Sequence, residues 1–295
     1  MYYHREPRAT SWYPDGKRGL RRSARVVSRA IRFASPSILL ILAMTWAGCG
    51  RSRPTDPAAD AIPVVDGNQA MALTREFVEI GPRPAGSEGA ERAAKWIAAQ
   101  ARALGYAAHI DTWEEETPTG PVIFRNVIAG SPRAAGGRRR SRILIGSHFD
   151  TKRFPEGVDF QGANDSGSST GLLLELMRVL QPQWPAAYPE LEIAFFDGEE
   201  CQVAYGPQDG LHGSKRLAAR IADAEAADRY VAMILLDMVG DRDLTVTLPM
   251  DAPPSLAQAL FAAAENQGTR EAFGYARGSI LDDHVPFQRL GIPSL

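Results

Sequence analysis

The stretch Leu191-Glu192-Ile193-Ala194-Phe195-Phe196-Asp197-Gly198-Glu199-Glu200 changes character in its middle. Residues 191–196 are apolar apart from Glu192, and the run has the length of a strand rather than a helix. A short apolar run stopped by an Asp-Gly pair reads as a strand buried within a sheet. The two adjacent glutamates beyond that pair are the opposite of core composition. The same switch recurs on either side. Residues 142–146 form an apolar strand that runs into Ser147-His148-Phe149-Asp150, and residues 231–236 form another that ends in Asp237.

Between and around these strands lie helices. Residues 169–180 form an apolar helix preceded by Asn164-Asp165-Ser166, residues 213–225 and 253–267 carry helical spacing, and residues 292–295 begin one more strand. Upstream, helices over 69–79 and 89–104 flank the turn-rich Gly81-Pro82-Arg83-Pro84-Ala85-Gly86-Ser87, and strand-like runs cover 107–112 and 122–129. A basic, glycine-rich loop at 134–140 reads as a solvated hairpin connection. Alternating strands and helices predict an α/β fold. The expected form is a three-layer α/β/α sandwich around a mixed, mostly parallel sheet, built as one domain over 66–295.

The rest of the chain is of another kind. Nine arginines and lysines between Arg5 and Arg32 precede the apolar run 38–46, which is shorter than the roughly 20 residues a spanning helix needs. A basic flank, a short apolar stretch and small residues before Cys49 read as a secretory signal over 1–48 of the bacterial lipoprotein kind. Cys49 is then the lipidated residue, 49–65 is a proline-containing tether, and the expected location is the bacterial cell envelope, anchored to the membrane. An uncleaved anchor is the alternative. A net charge of −2 gives no reason to expect a nucleic-acid partner. Two cysteines, one of them reserved for lipid, leave Cys201 unpaired and exclude a disulfide framework.

In open α/β sheets, sites gather beyond the carboxyl ends of the strands. His148, Asp165, Glu199, Glu200, Asp237, Asp282 and Asp283 all fall there. Each has a bland reading by itself: Asp165 as a helix cap, the glutamate pair as a solvated loop, Asp237 as a turn former, His148 as a hydrogen-bonded edge residue. Together they are harder to place without chemistry, because so many acids in one crevice repel one another unless a cation or shared protons compensate. Carboxylates mixed with imidazole favour zinc, and a neighbouring carboxylate can then move protons.

The segments Phe195-Phe196-Asp197-Gly198-Glu199-Glu200, Pro207-Gln208-Asp209-Gly210-Leu211-His212-Gly213-Ser214-Lys215, His148-Phe149-Asp150-Thr151-Lys152, Leu235-Leu236-Asp237 and Asp282-Asp283-His284-Val285-Pro286-Phe287 resemble the animal-type glutaminyl cyclases, within the wider zinc aminopeptidase superfamily. The resemblance implies one zinc held by Asp165, Glu200 and a histidine near the carboxyl end. It gives Glu199 the general acid/base role and places Asp237 and Asp282 in an acidic network around it. It also implies peptide or protein amino termini as substrates. In the aminopeptidase alternative, His148 and Asp237 bind a second zinc, and Glu199 activates water.

Asn164-Asp165-Ser166-Gly167 is closer to the peptidase pattern. Leu281 stands where many cyclases place a substrate-binding glutamine, and Tyr205 where they place a tryptophan. By the resemblance the third ligand, a histidine after a tryptophan, falls beyond Leu295, so the sequence is expected to be truncated relative to the family. Three readings stay open: a glutaminyl-peptide cyclotransferase, a zinc aminopeptidase, and an inactive or fragmentary homologue. The oligomeric state is open as well.

Overall fold

Strand side chains point alternately to the two faces of a sheet, and the buried strands here are apolar on both. In the computed structural model, which describes residues 64–130, 140–185 and 187–295, Val127, Ala129, Ile193 and Phe195 pack into one core. Ile128, Ala194, Phe196 and Leu144 pack into a second. The sheet therefore needs cover on both sides. Helices α1 (Gly67–Val78), α2 (Glu88–Ala103) and α3 (Ser169–Leu180) supply it on one face, and α4 (His212–Asp223) with the short α6 (Val285–Gln288) on the other. This is the expected three-layer α/β arrangement.

The sheet is mixed. Strands β1 (Ala107–Thr117) and β2 (Gly120–Gly130) form an antiparallel hairpin, and β2 runs antiparallel to β4 (Glu190–Phe196). Strand β3 (Arg142–His148) lies parallel to β4 on one side and to β5 (Tyr230–Leu235) on the other. The order is β1-β2-β4-β3-β5, so the parallel part is β4-β3-β5 and the hairpin extends it antiparallel. A parallel two-stranded ribbon, β6 (Val246–Leu248) with β7 (Phe273–Tyr275), packs near α5 (Pro254–Asn266).

Local chemistry accounts for the helices closest to the sheet. The Ser87 hydroxyl caps α2 by accepting from the Ala90 amide at 3.1 Å, a role serine fills well. The inward stripe of α2 is Ala90, Ala93, Ala94, Ile97, Ala98 and Ala101, all fully buried. Its small side chains let the helix lie close against the strands.

Several boundaries differ from the sequence expectation. Strand β3 continues two residues further, because Ser147 and His148 stay in register with Phe195 and Phe196. Strand β5 stops at Leu235, which leaves Asp237 in the turn beyond it. The strand expected over 292–295 is reduced to a parallel bridge between Ser294 and Met233, with Leu235 N–H donating to the Leu295 carbonyl at 2.8 Å. The ribbon strands and α6, three and four residues long, were not anticipated; they are too short for periodicity to register. The signal segment, Cys49, all but the last two residues of the tether, and the basic loop up to residue 139 lie outside the described residues. Among the described residues, no helix is long and apolar enough to cross a membrane.

One buried charge braces the helical face. Glu175 on α3 is fully buried and accepts from Arg178 Nε at 2.7 Å and Nη2 at 2.7 Å, and from the Asp66 amide at 2.8 Å. The Arg178 contact first, then the Asp66 amide, hold its carboxyl below the ordinary value of 4.5. A depressed carboxylate stabilises the fold fully above its unfolded pKa and loses that contribution as pH falls through the folded value. The melting-temperature gap between the wild type and Glu175→Gln is therefore expected to be widest near neutrality and to close below about pH 4. A gap of equal size at pH 7 and pH 3 would show that the charge is not its source.

Candidate metal centre and active site

The register that pairs His148 with Phe196 brings the chain segments leaving β3 and β4 out of the sheet side by side. Asp150, two residues past the strand, is fully buried between them. Its Oδ1 accepts from the Glu199 amide at 3.1 Å and lies 3.4 Å from His148 Nδ1, and its Oδ2 accepts from the Glu200 amide at 3.3 Å. One carboxylate thus sets both the imidazole orientation and the Glu199-Glu200 turn.

Asp165 arrives from a different direction. It lies in the irregular turn Ala163–Ser168, with non-helical φ −105° and ψ 93°, and the Asp165-Ser166 peptide bond is cis. It does not cap α3, whose N-cap is Ser168 without a side-chain bond. The turn is anchored from behind by Arg83, whose guanidinium is fully buried. That group donates to the carbonyls of Phe149 (3.1 Å), Gly81 (2.8 Å), Gln161 (3.0 Å) and Gly162 (3.2 Å). It also stacks 4.4 Å from the Phe77 ring centroid. Burial lowers the Arg83 pKa to about 10, against the pull of Asp150 and Asp165.

These placements bring His148, Asp165 and Asp237 together, with one donor atom from each within 4.8 Å of the others. His148 Nε2 is 2.9 Å from Asp165 Oδ1 and 3.2 Å from Asp237 Oδ1. The imidazole is buried (1% exposed), whereas Asp165 and Asp237 keep 31% and 28% of their side chains open, so the cluster faces solvent on its carboxylate side. Burial alone would depress the imidazole, but hydrogen bonds with Asp150, Asp165 and Asp237 outweigh it and hold the pKa well above the ordinary value. Burial opposes ionisation of Asp165 too, but the His148 contact, with Lys152 and Arg83 further off, leaves its pKa lowered. One imidazole and two carboxylates, oriented from behind by Asp150, make a donor set suited to a zinc-like cation.

The other acids line the same crevice without joining that set. Glu200 Oε2 pairs with Lys152 Nζ at 3.2 Å. Its pKa is raised by burial first, then by Asp150 and Asp165. Glu199 is 8% exposed, and the Tyr205 hydroxyl lies 3.1 and 3.2 Å from its two oxygens. Burial, reinforced by Asp283, Asp282 and Asp150 against the pull of His148, pushes its carboxyl up to about 10. Asp282 is raised to about 6, by burial and then by Asp237. Asp283 is buried and raised well above its ordinary value, and Ser214 donates to it. A cavity of about 420 Å³ opens beside Asp237 and Asp282, with Leu236, Met238, Val246 and Leu260 in its wall.

The residues singled out in the sequence therefore share one crevice, divided in two: an imidazole–carboxylate cluster and a wall of protonatable acids. Sequence reasoning assigned no role to Asp150, Arg83, Lys152 or Tyr205. For Asp150 the His-x-Asp spacing was a visible signal, and for Lys152 its place two residues further on. A buried arginine in a proline-rich turn carries no such mark.

Comparison with known proteins bears on these features. Residues 126–295, more than half of the chain, match the model of peptidase family M28. A mouse glutaminyl-peptide cyclotransferase-like protein is 32% identical over 240 residues, which cover 72% of this chain and 61% of the mouse protein. The chain thus spans less than two thirds of the length of that relative, and of its bovine counterpart. The glutaminyl cyclase of an Acidobacteriales bacterium is 31% identical, with a TM-score of 0.73 over 80% of both chains. A leucine aminopeptidase precursor from Bacteroides thetaiotaomicron, at 23% identity and a TM-score of 0.70 over 80% of this chain and 85% of its own, shares the fold. On the strength of the matched segment, which includes every acid and the histidine of the crevice, the chain belongs to peptidase family M28.

Proposed function

We propose that this protein is a zinc-dependent glutaminyl-peptide cyclotransferase acting on peptide or protein amino termini. The observation that carries the acid–base chemistry is the position of Glu199: a buried carboxyl beside the candidate metal cluster, under the influence of Asp283 and Asp282. Similarity to the Acidobacteriales and mouse proteins, both named for glutamine cyclisation, supports the same substrate.

Cyclisation requires that one proton leave the α-amine of an amino-terminal glutamine and that one reach the departing side-chain nitrogen. The α-nitrogen bonds to Cδ, the Cδ–Nε2 bond breaks, and pyroglutamate and ammonia result. A single shuttle can make both transfers, and Glu199 is the candidate for it, with Asp282 and Asp283 beside it favouring its protonated form. His148, Asp165 and Asp237 are the donors that fit a zinc ion, and Glu200 lies alongside as a further candidate ligand. A zinc ion held there would supply Lewis-acid polarisation of a substrate carbonyl. Asp150 keeps the imidazole and the glutamate turn in fixed relation.

A second reading, a zinc aminopeptidase with two ions, draws on one specific observation. His148 and Asp237, the residues which that reading gives to its second ion, meet at Asp165. For location, the basic and apolar leader before Cys49 supports export to the bacterial cell envelope and anchoring through lipid on that cysteine.

Incubating the purified protein with glutamine-initiated and leucine-initiated peptides separates the two chemistries. Pyroglutamate with equimolar ammonia and no free leucine is expected; release of leucine replaces cyclisation with hydrolysis. Glu199→Gln is expected to lower turnover by at least about 10²-fold with the fold retained, the scale of a lost acid–base group. The metal makes a separate prediction. His148→Ala is expected to weaken zinc retention through equilibrium dialysis, measured by elemental analysis, by about 10-fold or more, the scale at which even indirect support of a metal site is felt. Unchanged zinc affinity would remove His148 from the site.

A further inference from the structure

The segment from Cys201 to Gly210 contains no helix or strand, yet it is held at many points. The Asp209 carboxylate accepts from the amides of Gln202 (2.7 Å), Val203 (2.8 Å) and Ala204 (2.9 Å). The Lys215 ammonium, one turn into α4, donates to the carbonyls of Gly206 (2.7 Å), Pro207 (3.3 Å) and Gly210 (2.7 Å). Gly206 and Asp209 also pair through their backbones, and the Leu211 amide closes the segment onto the Glu199 carbonyl at 2.9 Å. Several backbone donors and acceptors of the loop are thus satisfied from within and from α4.

Tyr205 is what this framework presents. Its ring, half open to solvent, leans over Gly210, where φ is +75° and a Cβ would collide with the ring. Glycine at 210 serves both needs, the left-handed backbone and the space. The Tyr205 hydroxyl then reaches both oxygens of Glu199. Among the described residues, no other hydrogen bond reaches the Glu199 carboxyl. The loop backbone is already fixed by Asp209 and Lys215, so the phenol oxygen is not needed to fold it.

We propose that Tyr205 is a positioning residue for Glu199: its hydroxyl donates to the carboxyl and holds it in one orientation against the metal cluster. The inference rests on the acid/base role given to Glu199 above. A carboxyl on a two-carbon stem has several rotamers, and proton transfer depends on heavy-atom approach of about 2.6–3.2 Å. A second group that selects one rotamer raises the fraction of encounters that can react without adding to substrate binding.

The test uses the zinc-loaded full chain and Tyr205→Phe, which keeps the ring and deletes only the hydroxyl. Turnover of whichever peptide the wild type processes is expected to fall about tenfold, the scale of one hydrogen bond used in the transition state, with KM within about twofold. In parallel, ¹³C NMR of glutamate-labelled protein follows the Glu199 carboxyl, assigned by its loss in Glu199→Gln. That signal is expected to move in Tyr205→Phe.

An unmoved signal overturns the inference whatever the kinetics. So does unchanged kcat, or a loss confined to KM, which would make Tyr205 a substrate-packing residue. Full activity in Glu199→Gln sinks the acid/base reading itself. An inactive Glu199→Gln beside a fully active Tyr205→Phe sinks only the role of Tyr205.

Discussion

The contact on which the site depends is the one Asp150 makes with both neighbouring strand ends. A fully buried carboxylate costs free energy unless its lone pairs are used, and here they are used by the Glu199 and Glu200 amides and by the His148 ring. The satisfied group becomes a rigid joint. Because β3 and β4 are parallel and in register, their ends leave the sheet together, and Asp150 converts that coincidence of topology into a fixed distance between an imidazole and a glutamate. Its position, buried behind the cluster rather than in it, is that of an orienting group.

Around this joint the electrostatics divide into two regimes. On the cluster side, His148 lowers the cost of ionising Asp165, and that side can take up a cation. On the opposite wall, burial first and then neighbouring acids push Glu199, Asp282 and Asp283 up, which favours their protonated forms. Pairs of titratable groups driven in opposite directions within one crevice are a sign of assigned acid and base roles. Lys152 sits at the border, bound to Glu200 on one side and under the Tyr205 ring on the other, 5.6 Å from its centroid.

Much of this was legible in the sequence, for a physical reason. Parallel strands buried on both faces must be continuously apolar, so a carboxylate directly after such a run, as at Asp197 or Asp237, stands out. The convergence of His148, Asp165, Glu199, Asp237 and Asp282 followed from the rule that α/β sheets place sites at carboxyl-terminal strand ends. The partition of those residues did not follow. Whether Asp165 turns toward His148 or toward Glu200 depends on the backbone of an irregular turn, where neither periodicity nor propensity speaks. The supporting residues were hidden for a related reason: Asp209 and Lys215 act on backbone groups of a loop, and backbone partners leave no pattern in side-chain order. The ribbon β6–β7 was lost to its brevity.

Arg83 carries a consequence of another kind. Its guanidinium lies in the connection between α1 and α2, yet three of its four acceptors, Phe149, Gln161 and Gly162, are 66 to 79 residues further along. These bonds tie the amino-terminal helical face to a distant part of the chain. The carbonyls just before the turn bearing Asp165 are thus held by a residue from the connection between the amino-terminal helices. A chain lacking this connection would keep the same acids without the group that fixes the carbonyls beside them.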